Sequence, residues 1–173
     1  GQPLSIEPIE KAMPKLVCEL NYEGSESAAN GIMTTDTKIK EIAISVEIGG
    51  KIVKIGGIAK GSGMIHPNMA TMLVFITTDC NITSEMLNLA LKEDIKDSFN
   101  MITVDGDTST NDMVSVLANG KAGNKLIESE NEDFSIFCEA LSVVTKDLCK
   151  KIAGDGEGAT KLLECKVSGA KTK

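Results

Sequence analysis

The residues best placed to do chemistry lie in one stretch, GIAKGSGMIHPNMATMLVF, residues 57–75. A glycine-rich segment runs through Lys60 and Pro67 to Ala70 and passes, at Thr71, into an apolar β-type run. A hydroxyl residue that opens a buried strand directly after such a loop is well placed to be a nucleophile. Scission of the Ala70–Thr71 bond would place it better still. The freed α-amine would stand beside the Thr71 hydroxyl as its own general base. The same position also suits an ordinary first residue of a strand, and spacing alone does not separate the two readings.

Charged residues elsewhere supply candidate contacts. Lys60 stands between Ala59 and Gly61, in a chain whose 18 basic residues are all Lys. Any carboxylate ligand must therefore be held by Lys, hydroxyls or backbone N–H groups rather than by an Arg fork. Glu157 stands between Gly156 and Gly158 in GDGEG, residues 154–158. Glycines flanking the acid on both sides suggest close backbone approach to a ligand and a fixed carboxylate. A solvated lysine and an exposed loop glutamate are the ordinary alternatives. The acidic run DGDTSTND, residues 105–112, is not a calcium loop, because the twelfth position from Asp105 is Val116, in a predicted strand, where an EF-hand needs Glu. It reads as a hydrogen-bonded turn near the site, with its role open. His66, next to Pro67, reads as a structural loop residue.

The elements that must position these groups follow from periodicity. Residues 6–20 read as a short amphipathic helix with a kink or break at Pro14. Residues 34–37 read as a Thr-rich strand end. Strict alternation of Ile42, Ile44, Val46 and Ile48, then Gly49-Gly50, then Ile52-Val53 and Ile55, predicts a β-hairpin on a two-residue primed turn. Residues 71–77 form a buried strand. Thr83 or Ser84 caps a helix running to about Phe99. Residues 101–104 and 113–118 are short strands. A long helix covers residues 134–152 and stops at Gly154. Residues 160–167 make a final strand. The class is α/β (α+β), a layered sandwich of mixed β-sheets with helices outside.

At 173 residues and 42% hydrophobic content, the chain suffices for one ordinary domain with a core. A net charge of −7 without Arg argues against nucleic-acid binding. No basic amphipathic helix or long apolar run supports a membrane. Five dispersed cysteines and one His argue against a disulfide framework or a metal centre, and a reducing cytoplasm fits best. The start, Gly1-Gln2-Pro3-Leu4, has no signal-peptide pattern and no initiator Met, so it reads as internal to a longer polypeptide or as following a junction.

KGSGMI (residues 60–65) followed by HPNMATML (residues 66–73) resembles the self-cleavage segment of the glutamate N-acetyltransferase / ornithine acetyltransferase family of arginine biosynthesis. GIMTTDT (31–37), DGDTSTND (105–112) and GDGEGATK (154–161) fit the same family in the same order. The resemblance implies a DmpA/ornithine-acetyltransferase-like fold of the terminal-nucleophile type. It also implies self-cleavage at Ala70–Thr71 and Thr71 as catalytic nucleophile, with Thr34, Lys60, Thr71 and Glu157 contacting substrate. The implied reaction is ping-pong transfer of acetyl from N-acetylornithine to glutamate, with no cofactor or metal. Some members also use acetyl-CoA as donor, which these residues leave open.

On this reading, residues 1–173 are a single partial domain from the middle of a larger enzyme, which assembles as a heterotetramer of two cleaved chain pairs. The family's Thr-Gly oxyanion pair is expected just upstream of Gly1, and further substrate contacts after Lys173, so the fragment alone is expected to be inactive. A self-processing aminopeptidase or amidohydrolase, or a non-catalytic domain binding a small anion or a partner, are the alternative readings.

Overall fold

Gly49 and Gly50 take φ of +56° and +73°, the left-handed backbone that a primed two-residue turn demands at both positions. Around them β1 (Lys40–Ile48) and β2 (Lys51–Lys60) form the predicted hairpin, from the pair Ile48 and Lys51 to the pair Lys40 and Ala59. The computed structural model describes residues 3–66 and 72–171. β3 (Leu73–Thr78) runs antiparallel to β2, and β4 (Met113–Ala118) runs parallel to β3. The sheet order is β1-β2-β3-β4. A parallel neighbour requires a crossover. Here the crossover contains α3 (Ser84–Lys96), whose N-cap Thr83 accepts the Met86 N–H at 3.3 Å.

The core lies between this sheet and α4 (Glu132–Gly154), which packs on β1 and β2. Asn131 caps the helix by accepting the Phe134 N–H at 2.9 Å. Phe137, Leu141, Val144, Leu148 and Ile152 recur at helical spacing, and all are fully buried. The inward residues of the sheet, Val53, Ile55, Val74 and Ile76, meet them. Gly57 sets how closely the layers approach: a Cβ there would stand 3.1 Å from Leu148 Cδ1 and 3.2 Å from Ile76 Cγ1. A mixed sheet with helices packed on it is the layered α/β architecture expected.

Four local expectations change. Helix α1 (Glu7–Cys18) is not broken at Pro14, one of the two outcomes expected there, and none of its residues is buried. Residues 34–37 form bends rather than a strand end, because their amides bond to carboxylates instead of a neighbouring strand. A 3-10 turn (Phe99–Met101) occupies the start of the predicted strand at 101–104. Residues 160–167 are coil with Leu163 and Val167 exposed, and no described strand pairs with them. A short helix, α2 (Ser25–Gly31), lies against β2 where the polar, small composition gave no helix signal. Among the described residues no helix is long and apolar enough to cross a membrane.

The packing at Gly57 has a neighbour as its control. A Cβ on Gly56 would meet only Ile42 O at 3.6 Å and Ala43 Cβ at 3.8 Å. Gly57→Val is expected to cost about 1–3 kcal/mol through overpacking, and Gly56→Val less than about 1 kcal/mol. Urea unfolding of the two variants measures the difference. Equal costs would show that α4 does not close on Gly57.

Candidate functional site

Lys40, the first residue of β1, is 1% exposed, and its ammonium lies 2.6 Å from Asp36 Oδ1 and 2.6 Å from Asp155 Oδ2. One cation thus serves two buried carboxylates, and the surplus negative charge must be met by hydrogen-bond donors. Asp36 accepts the Gly61 N–H at 2.7 Å and the Thr34 N–H at 3.2 Å. Asp155 accepts the Thr37 N–H at 2.9 Å, the Lys38 N–H at 3.3 Å and a short bond from the Thr37 hydroxyl.

Burial by itself would raise both carboxyls. For Asp36, the Gly61 amide, Lys40 and the Thr34 amide outweigh it and hold the group below its usual range. For Asp155, Lys40 and Thr37 outweigh it and bring the group down to about 2. Both are therefore ionised near neutrality. Four segments meet here: the 34–38 loop, the start of β1, the end of β2, and the loop that follows α4.

Those same segments open onto a cleft of about 360 Å³, lined by Thr34, Thr35, Lys60, Ser62, Asp105 and Glu157, with Gly63, Met64 and Asp107 completing its wall. Lys60 closes β2 and is 7% exposed. It donates to Thr34 Oγ1 at 3.1 Å and pairs with no carboxylate among the described residues. Burying an ammonium without a counter-charge is costly, so the group is poised to hold an anion. The Thr35 and Ser62 hydroxyls bond to each other at 2.6 Å.

Glu157 is exposed to the cleft, and its N–H donates to Ser62 O at 2.7 Å. Gly63 makes room for it: a Cβ there would come within 3.0–3.2 Å of the Glu157 carboxyl atoms. The cleft therefore offers a cation and hydroxyls together with the carboxylates of Glu157, Asp105 and Asp107, a set that complements a ligand carrying both an anionic and an ammonium group.

Three of the predicted contact residues, Thr34, Lys60 and Glu157, line this one cleft. Thr71 and the Ala70–Thr71 bond lie outside the described residues. A regular strand would turn only one of Thr34 and Thr35 toward the site. The bent backbone, held at the Thr34 N–H by Asp36, instead lets both line it. The triad of Asp36, Lys40 and Asp155 was not anticipated. A signal was present, since Lys40 falls two residues before Ile42 on the inward side of the β1 alternation, a place for an apolar residue unless the lysine has buried partners.

Comparison with known proteins adds to the geometry. The sequence matches the ArgJ family over residues 1–173. It is 55% identical over 170 residues to the Arginine biosynthesis bifunctional protein ArgJ 1 of Clostridium acetobutylicum, covering 98% of this chain and 42% of that protein. The Geobacillus stearothermophilus protein ArgJ is 52% identical over 172 residues, covering 99% of this chain and 42% of its own length. A crystal structure of the Bacillus halodurans ArgJ protein aligns with a TM-score of 0.49 at 53% identity, covering 50% of this chain and 41% of that one. The chain thus spans about two fifths of the curated relatives it matches, 42% of the first of them.

The buried triad gives the fold an acid-sensitive element. Asp155 titrates near 2 in the folded chain, below its ordinary 3.8. Its stabilisation is therefore present above about pH 4 and is lost as pH falls toward 2. Asp155→Asn should cost about 2–3 kcal/mol at pH 7, and the gap to wild type should close toward pH 2. Urea midpoints measured from pH 2 to 7 test this. A gap that stays constant with pH would remove the carboxylate as its source.

Proposed function

The chain belongs to the ArgJ family, and we propose that it is the central part of an acyltransferase moving acetyl from N-acetylornithine to glutamate in arginine biosynthesis. The observation that carries this reading is the buried Lys60 ammonium, without a carboxylate partner among the described residues, in one cleft with Glu157. Amino-acid substrates need this pairing of a carboxylate holder and an ammonium holder. Lys60 and Thr34 would take the α-carboxylate, and Glu157 the amino group of ornithine or glutamate.

The chemistry starts with the Thr71 hydroxyl attacking the Ala70 carbonyl. The C–N bond breaks, and the chain before it is left as an ester on Thr71. Water hydrolyses that ester, releasing the Ala70 carboxylate and restoring the hydroxyl beside a free α-amine. The amine then takes the hydroxyl proton as Thr71 attacks the acetyl carbonyl of N-acetylornithine. Ornithine leaves with that proton, and acetyl remains on the threonine oxygen. The amine of glutamate attacks this ester to give N-acetylglutamate, and the hydroxyl is regenerated. No cofactor takes part. The remaining segments of the enzyme would supply the oxyanion donors, and the cleaved pairs would assemble as a heterotetramer in the cytoplasm, with acetyl-CoA as a further donor still to be tested.

The test uses the full-length enzyme. Intact mass should show two fragments meeting at Ala70 and Thr71, and N-acetylornithine plus glutamate should yield N-acetylglutamate. Thr71→Ala should abolish both. Lys60→Met should raise KM roughly 10-fold or more while kcat falls less, the mark of lost ground-state binding. An enzyme that turns over with the bond intact, or that releases only acetate or free amino acids to water, would overturn the reading.

A further inference from the structure

The acidic run 105–112 holds the chain on both sides of the predicted scission point. On the upstream side, the Asp105 carboxylate accepts the N–H groups of Met64 and of Ile65, the latter at 3.0 Å. The Ile65 carbonyl in turn accepts the Val104 N–H at 2.9 Å and the Thr103 hydroxyl at 3.0 Å. On the downstream side, Asp112 Oδ1 accepts the Met72 N–H at 3.0 Å, and the Met72 carbonyl accepts the Met113 N–H at 3.1 Å. Parallel pairing of β3 with β4 then begins at Leu73 and Met113. Ile65 and Met72 are each 1% exposed, so both anchor points are also fixed by packing.

The upstream grip also maintains an unfavourable conformation. Met64 has φ of +56°, a conformation a side-chain-bearing residue rarely adopts. The Asp105 bond to its N–H, the leading reason that carboxyl sits below its usual range, favours that shape. Downstream, the anchored residue is the one that directly follows Thr71 in sequence.

Attack of a hydroxyl on the carbonyl immediately before it depends on holding the two within reach, and a misplacement of about 1 Å costs on the order of 100-fold. We infer that Asp112, assisted by Asp105, is a positioning residue for self-cleavage. Its carboxylate oxygen fixes the backbone at Met72, one residue after the Ala70–Thr71 bond, and so limits the positions that bond can take. It acts through the backbone of Met72. This inference rests on the reading of Thr71 as the self-cleaving nucleophile.

The experiment follows scission of the full-length precursor by intact mass over time, for wild type, Asp112→Ala and Asp112→Asn. Thermal melting is recorded alongside. Asp112→Ala is expected to slow scission by about 100-fold. Asp112→Asn keeps a side-chain oxygen to accept the Met72 N–H and should remain within about threefold of wild type. Acetyl transfer per mole of cleaved Asp112→Asn should match wild type.

Scission of Asp112→Ala at the wild-type rate would overturn the inference. So would an Asn variant as slow as Ala, which would make the charge rather than the placement the active property. Loss of transfer in cleaved Asp112→Asn would do the same. If Asp112→Ala does not fold, the Asn comparison decides alone. A wild-type precursor that never cuts instead defeats the underlying reading of Thr71, a result distinct from any of these.

Discussion

A single ammonium between two buried carboxylates organises the functional end of this molecule. Lys40 can occupy the interior only because Asp36 and Asp155 neutralise it, and they can remain charged there only because backbone amides and a threonine hydroxyl complete their coordination. Removing one member leaves an uncompensated charge, which is far more damaging than never having buried the group. The arrangement is best understood as a way of specifying position. It ties the end of β2 to the loop after α4, and the cleft residues Lys60 and Glu157 lie within two residues of the tied Gly61 and Asp155.

The division of labour between apolar and polar contacts is clear in space. The layer between sheet and α4 is held by dispersion and burial, with Gly57 allowing the close approach. Toward the cleft the apolar contacts give way to carboxylates that accept backbone N–H groups: Asp36 at Gly61, Asp155 at Thr37 and Asp105 at Ile65. Irregular backbone needs such acceptors, because it has no ladder partner of its own. A chain rich in Asp and Glu, with net charge −7, uses part of its acidity for this internal role rather than for its surface.

Legibility in the sequence followed the range of the interactions involved. The hairpin was readable because alternation and two glycines act within a few residues, and the cap at Thr83 acts over three. The cleft contacts Thr34, Lys60 and Glu157 were legible through family resemblance, supported by glycine spacing around Glu157 and the absence of Arg. The triad was not, because Asp36 and Asp155 stand far apart in the sequence and nothing local marks them as partners. The strand predicted at 160–167 failed for a related reason. A β-type composition specifies a strand only where an edge is available to receive it.

The separation of 115 residues between Lys40 and Asp155 also has a consequence for order of events during synthesis. A chain emerging from the ribosome presents the hairpin early, but the second carboxylate only after α4 has been translated. Joining points so distant carries a loop-closure cost that local contacts cannot offset. The cleft consequently has no finished form until α4 and the loop that follows it have been made.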